Sequence, residues 1–144
     1  MTSGGPLFVD TWGWLALGHR RDPHHEQVRL VFADCQTRRQ RMHTSDYVLD
    51  ELITLLFRRE SYSEAICFLD GLLASAARGS LQIHRVTPER FRAALDLRRR
   101  FQDKSGISFT DFTTMQIMKE QRIIEIITED EHFSHVGMGF RKIP

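Results

Sequence analysis

The amino-acid sequence predicts one α/β domain built on a mostly parallel sheet of about five strands. Short apolar or β-branched runs alternate with helical segments along all 144 residues. This alternation is typical of strand–helix–strand units, which place their strands in parallel. The length is that of one ordinary domain, and the sequence has no repeat, linker or low-complexity tract. We therefore expect a single doubly wound domain over residues 1–144, with any disorder confined to residues 1–6.

The first half of the chain contains two predicted strands and four predicted helices. Two helix starts are marked by Asp22, which precedes a proline, and by the capping box Ser61–Glu64. Side chains of aspartate and serine can accept hydrogen bonds from free N–H groups at a helix start, and proline has a fixed φ that suits the first helical position. Gly79 is predicted to end the fourth helix. The predicted strands are Leu7–Val9 and Arg41–Thr44, and the predicted helices are Thr11–Leu17, Asp22 to about Thr37, Ser45 to about Arg59, and Ser61–Ala77.

The second half continues the alternation with three predicted strands and three predicted helices. Thr87 before a proline and Ser108 before Asp111 predict two helix starts, and the capping-box pattern Thr128–Glu131 predicts a third. The β-branched run Ile123–Ile127 predicts a buried strand. The remaining predicted elements are strands at Leu81–Val86 and Gly139–Ile143, the latter at an edge, and helices from Thr87 to about Lys104–Gly106 and from Ser108 to Glu120.

The composition is that of a water-soluble globular protein and excludes several classes. The net charge is only +1, yet just three of the twenty basic residues are lysine. Arginine pairs bidentately with phosphate, although an arginine-rich genome explains the same bias equally well. Cys35 and Cys67 are too far apart for a CxxC motif, so we expect two reduced thiols. No apolar run approaches the ~20 residues of a membrane span and the start lacks a signal peptide, so we expect a cytoplasmic protein.

Four carboxylates stand where a strand meets a helix, or on the helix that follows: Asp10, Glu51, Asp111 and Asp130. The carboxyl ends of parallel strands share one edge of a sheet, so these distant residues are expected to meet there. Several acids in one pocket repel each other unless a cation neutralises them. Divalent cations such as Mg²⁺ take oxygen ligands and commonly serve phosphate chemistry. The pattern therefore predicts a metal-dependent phosphodiesterase.

Each acid also has an ordinary structural interpretation. Asp10 can end a strand, Glu51 can be a partly exposed helix charge, and Asp111 and Asp130 can cap helices or complement the helix dipole. Asp50 lies on the other flank of the helix that carries Glu51, and helical phase alone does not decide between the two. Their shared placement at the sheet edge favours the ligand interpretation for all four.

Other motifs offer weaker sites. His24-His25-Glu26 has no histidine pair at i and i+4, and the spacing His132-x-x-His135 is more typical of a surface or packing role. Neither GxGxxG nor GK[ST] is present, so no phosphate-cradling glycine loop is predicted. The serines and histidines form no recognisable catalytic triad.

Taken in order, the segments resemble a PIN-domain ribonuclease, and closely the VapC-type toxins of prokaryotic toxin–antitoxin pairs. No single motif is specific, but the ordered set extends from about Leu7 to Pro144. The matching segments are Phe8–Thr11, Arg21–His25, Thr44–Glu51, Ser108–Asp111, Thr128–Phe133 and Gly137–Phe140.

The resemblance implies a sheet between two helical layers, giving a three-layer α/β/α fold, and an acidic pocket that binds Mg²⁺ or Mn²⁺. Carried over by position, the catalytic acids are Asp10, Glu51, Asp111 and Asp130, of which Asp10, Asp111 and Asp130 would hold metal. Glu51 would complete the site or orient the attacking water. Small hydroxyl residues that order the pocket match Thr11, Ser108 and Thr128, whereas Asp50 and Glu129 stand as additional acids beside two of the expected ones.

The resemblance also implies an RNA substrate, a homodimer and inhibition by a small antitoxin protein. Alternatives of the same fold are a PIN nuclease of RNA processing that is not a toxin, and a catalytically silent binding module. A phosphoacceptor receiver domain is a more distant alternative, and it would need an acidic pair after the first strand and a lysine after the last.

Overall fold

A computed structural model describes residues 4–144 as five strands and seven helices. Residues 1–3 lie outside the described residues, and with them half of the segment in which disorder was expected. The strands are β1 (Leu7–Val9), β2 (Met42–Ser45), β3 (Leu81–His84), β4 (Glu125–Ile127) and β5 (Arg141–Ile143). The helices are α1 (Thr11–Gly18), α2 (His25–Thr37), α3 (Asp46–Arg59), α4 (Tyr62–Ala77), α5 (Pro88–Arg100), α6 (Phe109–Gln121) and α7 (His132–His135).

All five strands are parallel, in the order β3-β2-β1-β4-β5. Helices flank this sheet, and the predicted three-layer α/β/α fold is confirmed. The central strand β1 is apolar and completely buried, as expected for a strand covered on both faces. It pairs with β2 on one side and β4 on the other, so the sequence order reverses direction at β1. Ligand sites in open parallel sheets form at such a reversal, beyond the carboxyl ends of the strands.

Four predicted helix starts are confirmed by their capping hydrogen bonds. The hydroxyl oxygens of Ser45, Ser61, Thr87 and Ser108 each accept a hydrogen bond from the backbone N–H three residues later. Gly79 has a φ of +83°, a left-handed conformation that glycine adopts without strain, and it follows α4 as predicted.

Two other predicted helix starts are wrong. Asp22 does not cap α2, which begins at His25; its carboxylate accepts instead from the N–H of His24 in the preceding turn. Thr128 does not cap α7, which begins at His132. Its hydroxyl is used by a distant partner, as described below.

Several predicted boundaries are displaced. Ile123 is buried, but its N–H bonds to the carbonyl of Met118, so it belongs to the end of α6 and β4 begins only at Glu125. Helix α5 ends at Arg100 rather than near Lys104–Gly106, β3 ends at His84, and β5 begins at Arg141. None of the helices in residues 4–144 combines the length and the apolar character needed to cross a membrane.

Candidate active-site cleft

The four predicted acids line one open cleft of about 620 Å³ beyond the carboxyl ends of the strands. Asp10 follows β1 directly, and Asp130 lies three residues after β4. Glu51 is carried by the second turn of α3, and Asp111 by the first turn of α6. Residues separated by more than half of the sequence thus meet where β1 and its neighbours end.

The backbone around Asp10 is fixed from both sides. Its N–H donates to the carbonyl of Ile127 at 3.1 Å, and its own carbonyl accepts from Trp14 N–H at 3.2 Å, which begins α1. The indole of Trp14 donates to the hydroxyl of Thr44, and that hydroxyl donates to the carbonyl of Val9. The position of Asp10 is therefore set by β1, β2 and β4 together.

Helix α1 approaches the strand ends so closely that one of its positions requires glycine. A Cβ atom on Gly13 would lie 2.8 Å from a side-chain carbon of Ile127 and 3.0 Å from one of Val9. Both neighbours are β-branched and buried, so neither side chain can move easily. Gly13 thereby holds the N-terminus of α1, with Thr11, against the sheet.

Two threonine hydroxyls connect the acids. Thr11 Oγ1 donates to Glu51 Oε1 at 2.6 Å. Thr128 Oγ1 donates to Asp10 Oδ2 at 2.9 Å and accepts from the N–H of Asp130 at 3.1 Å. The carboxylates of Glu51 and Asp10 are therefore each held by a threonine hydroxyl, and the hydroxyl that holds Asp10 also holds the backbone of Asp130.

Asp111, Asp130 and His132 form the tightest group of possible ligands in the described part of the chain, with one donor atom from each residue within 4.8 Å of the others. His132 Nδ1 lies 2.8 Å from Asp130 Oδ1, and it is buried without an aligned hydrogen-bond partner in residues 4–144. The sequence analysis favoured a surface or packing role for His132. The turn that brings its ring to Asp130 is closed by the N–H of His132, which donates to Asp130 Oδ1 at 2.8 Å.

Burial and mutual repulsion make the cleft resist a full set of negative charges. Burial raises the pKa of Asp10 from 3.8 to about 6, and the charges of Glu51 and Asp130 contribute to the rise. Hydrogen bonds from the Thr11 backbone and the Thr128 side chain act in the opposite direction and lower this pKa. Burial, the charge of Asp10 and contact with Asp130 raise the pKa of Asp111 from 3.8 to about 8. Carboxylates in this state gain strongly from a nearby cation.

The two additional acids of the sequence are separated by the structure. Asp50 is exposed and does not line the cleft, whereas its neighbour Glu51 does. Glu129 and Asp130 both line the cleft, but only Asp130 belongs to the group with Asp111 and His132.

The rest of the cleft is lined by aromatic, apolar and basic side chains. One wall is aromatic and apolar, and is formed by Trp12, Leu15, Pro23, His24 and Leu55. Arg59, at the end of α3, also lines the cleft and forms no salt bridge within residues 4–144. The position of Trp12 two residues after Asp10 indicates an aromatic wall beside the acids from the sequence alone, whereas Arg59 reaches the cleft through the packing of α3 and has no local sequence signature.

Comparison with known proteins decides the family. The family model of the PIN domain matches residues 7–138. The chain belongs to the PIN-domain family. The resemblance found in the ordered segments is thereby confirmed, and the cleft of this PIN domain occupies the expected edge of the sheet.

Relatives of this PIN domain include VapC proteins. The 23S rRNA-specific endonuclease VapC20 of Mycobacterium tuberculosis is 30% identical over 131 residues, which cover 91% of this chain and 94% of that protein. A VapC ribonuclease of Archaeoglobus fulgidus is 27% identical over 132 residues, which cover 91% of this chain and 81% of that protein. The crystal structure of Mycobacterium tuberculosis VapC20, a sarcin–ricin loop cleaving toxin, matches with a TM-score of 0.75 at 27% identity, over 91% of this chain and 95% of that one.

Proposed function

We propose that this PIN domain is a metal-dependent endoribonuclease that hydrolyses RNA phosphodiester bonds. The observation that carries the proposal is the convergence of Asp10, Glu51, Asp111 and Asp130 on one cleft at the strand ends. The relatives named as an rRNA-specific endonuclease and a ribonuclease support the same activity.

The residues of the cleft fit a divalent cation, for which we propose Mg²⁺ or Mn²⁺. The raised pKa values of Asp10 and Asp111 indicate negative charge that lacks compensation within the chain. His132 Nδ1 lies 2.8 Å from Asp130 Oδ1 and is buried without an aligned hydrogen-bond partner in residues 4–144, so it adds a nitrogen to the group of possible ligand atoms. Carboxylate oxygens are the ligands that Mg²⁺ and Mn²⁺ prefer. Asp10, Asp111 and Asp130 would hold the metal.

When bound, such a metal lowers the pKa of water and polarises the phosphate oxygens. The chain's own groups provide orientation. Glu51, held by Thr11 at 2.6 Å, is placed to accept a hydrogen bond from the attacking water. The Thr128 hydroxyl bonds to both the carboxylate of Asp10 and the backbone N–H of Asp130, and it thereby fixes their relative positions. Arg59 offers a cation to a flanking phosphate, which the acids alone would repel.

The test is RNA cleavage by the purified chain, free of copurifying protein, with structured RNA and Mg²⁺ or Mn²⁺. We expect metal-dependent cleavage that is abolished in Asp10→Asn and Asp111→Asn. The matched control is Asp50→Asn, which removes an exposed acid outside the cleft and should leave cleavage unchanged. Equal cleavage by the wild type and Asp111→Asn would refute the site, and no cleavage of any RNA by a folded, metal-loaded wild type would refute the activity.

We further propose that the protein is the toxin of a VapBC-type pair, active as a homodimer and inhibited by a small antitoxin protein. The named VapC relatives support this role, and an acidic cleft open to solvent can receive a basic side chain of an inhibitor. Growth arrest on expression without a partner, relieved by Asp111→Asn, is the expected result. A monomer at micromolar concentration in analytical ultracentrifugation would contradict the dimer.

A further inference from the structure

We propose that Trp12 and His24 form a platform on which an unpaired RNA base stacks beside the acidic cleft. The inference rests on the proposed ribonuclease function and deepens it, because it identifies how the substrate is held. It concerns the aromatic wall, which the hydrolytic roles of the acids do not use.

The two rings belong to the cleft and contact each other. Trp12 lies two residues after Asp10, and both aromatic residues line the same cleft as that acid. Their ring centroids are 5.4 Å apart with the planes at 58°. Tilted rings do not cover each other's faces, so ring surface stays available to a third planar group. The side chain of His24 is 50% exposed, which is far from a core position.

The platform is fixed before any substrate arrives. Trp12 stands on α1, whose N-terminus is held by the carbonyl of Asp10. The loop that carries His24 is closed by the carboxylate of Asp22, which accepts from His24 N–H at 2.8 Å. His25 Nδ1 then donates to the carbonyl of Ala16 at 2.8 Å and ties the start of α2 to α1. Stacking on a preorganised surface loses little conformational entropy.

The chemistry of this wall favours a nucleic-acid base as its occupant. Phosphodiester hydrolysis needs the acids and an oriented water, but it has no need of aromatic faces. Proteins that bind single-stranded RNA stack bases on aromatic side chains, with little dependence on base identity because every base has a π-face. Trp12 also packs partly against the core, and the His24 imidazole, whose Nδ1 lies 3.4 Å from Asp22 Oδ1, still keeps half of its surface exposed at the cleft.

Intrinsic fluorescence tests the contact directly. The chain has two tryptophans, and Trp14 is buried with its indole N–H bonded to Thr44. In Trp14→Phe/Asp111→Asn, Trp12 is the single tryptophan and cleavage is suppressed. Titration with short oligoadenylate in Mg²⁺ should quench its emission, and the same strand annealed to oligouridylate should quench it far less. The matched control Trp12→Phe/Asp111→Asn retains only the buried Trp14 and should show no quenching.

Affinity and kinetics test the contribution to binding. Losing one base stack should raise the Kd for oligoadenylate by about 5- to 150-fold in Trp12→Leu, measured in the Asp111→Asn background. With the acids intact, Trp12→Leu and His24→Ala should raise the KM for RNA cleavage more than they lower kcat, because the stack is made in the bound substrate as well. Trp12→Phe keeps an aromatic face, so it should lose much less affinity for RNA than Trp12→Leu. Its midpoint of thermal unfolding should be unchanged.

The outcomes separate the two proposals. A wild type that cleaves RNA, together with unquenched Trp12 and an unchanged KM in Trp12→Leu, would overturn the platform and leave the nuclease intact. A wild type that neither binds nor cleaves RNA would overturn both. If Trp12→Leu does not fold, the proposal is tested by the quenching of Trp12 fluorescence in folded Trp14→Phe/Asp111→Asn and by the KM of His24→Ala.

Discussion

Replacing Asp10 with asparagine should stabilise the metal-free protein while removing its activity. Asp10 is buried beside other acids, and its pKa lies at about 6 instead of 3.8. A carboxyl group whose pKa is raised by folding favours the folded state while it is protonated. This contribution to stability is fully present below the pKa of the unfolded chain, and it is lost as the pH rises through the pKa of the folded protein. At pH 7.5 the carboxylate of Asp10 therefore costs roughly 3 kcal/mol relative to a neutral group.

This free energy is an upper limit for the gain in Asp10→Asn, because the asparagine amide must replace the carboxylate as acceptor for Thr128 Oγ1. In the wild type that hydroxyl lies 2.9 Å from Asp10 Oδ2. For a domain of this size, 1 kcal/mol shifts the midpoint of thermal unfolding by about 2–4 °C. In EDTA at pH 7.5, Asp10→Asn should therefore unfold several degrees above the wild type, by up to ~12 °C. The gain should decrease as the pH falls from about 6 and disappear only below about pH 3, where Asp10 is protonated in both the folded and the unfolded state.

Circular dichroism during heating, with and without Mg²⁺, measures these shifts. Mg²⁺ should stabilise the wild type, since binding to the folded state alone raises stability, and it should stabilise Asp10→Asn much less. Asp50→Asn, an exposed acid outside the cleft, is the control and should not change the midpoint. A metal-free Asp10→Asn that is less stable than the wild type at pH 7.5 would refute the account in which burial, together with the neighbouring acids, destabilises the Asp10 carboxylate.

Two further predictions concern a buried histidine pair and a hydroxyl group of the cleft. His43 Nδ1 and His84 Nε2 lie 2.8 Å apart in the core; burial lowers both pKa values, that of His43 from 6.5 to about 4. The free energy of unfolding should therefore fall as the pH drops from about 6.5 to 4, by roughly 3 kcal/mol for His43. Urea unfolding of His43→Asn should show a smaller loss of this free energy over the same pH range. An identical loss in the variant and the wild type would contradict the prediction. Thr128→Val keeps the shape but removes the bonds to Asp10 and Asp130, so we expect it to cost about 1–3 kcal/mol and most of the cleavage rate, whereas a fully active Thr128→Val would show that the hydroxyl does not order the acids.

The sequence was sufficient where a local signal determines the structure. Ser61, Thr87 and Ser108 cap helices through bonds that span three residues, and such bonds can be read from a pattern. The four acids were found because Asp10 ends a strand and Asp130 follows one, while Glu51 and Asp111 lie in the first two turns of helices whose starts are marked by capping residues. Ile123 misled the strand prediction, since its β-branched side chain suits a strand while its N–H closes the end of α6.

The rest of the site depends on contacts between segments that are distant in sequence. Thr128 has the pattern of a helix cap, yet its hydroxyl bonds to Asp10, 118 residues earlier. His132 enters the acidic group only through the turn after β4, and Trp12 meets His24 only because a loop folds back over α1. Single-sequence periodicity contains no information on these pairings.

The strand order has a consequence for when the protein becomes active during its synthesis. Strand β1 is made first and occupies the centre of the sheet, but its neighbour β4 and the residues Thr128 and Asp130 are made late. A domain generally folds as one unit, so its central strand needs both neighbours before the sheet is complete. A nascent chain that ends before Asp111 contains Asp10 and Glu51 but lacks Asp111, Asp130 and the strand that covers one edge of β1. The four acids can therefore come together only after the chain has been made at least as far as Asp130, so an acidic cleft with all four carboxylates cannot exist on any shorter nascent chain.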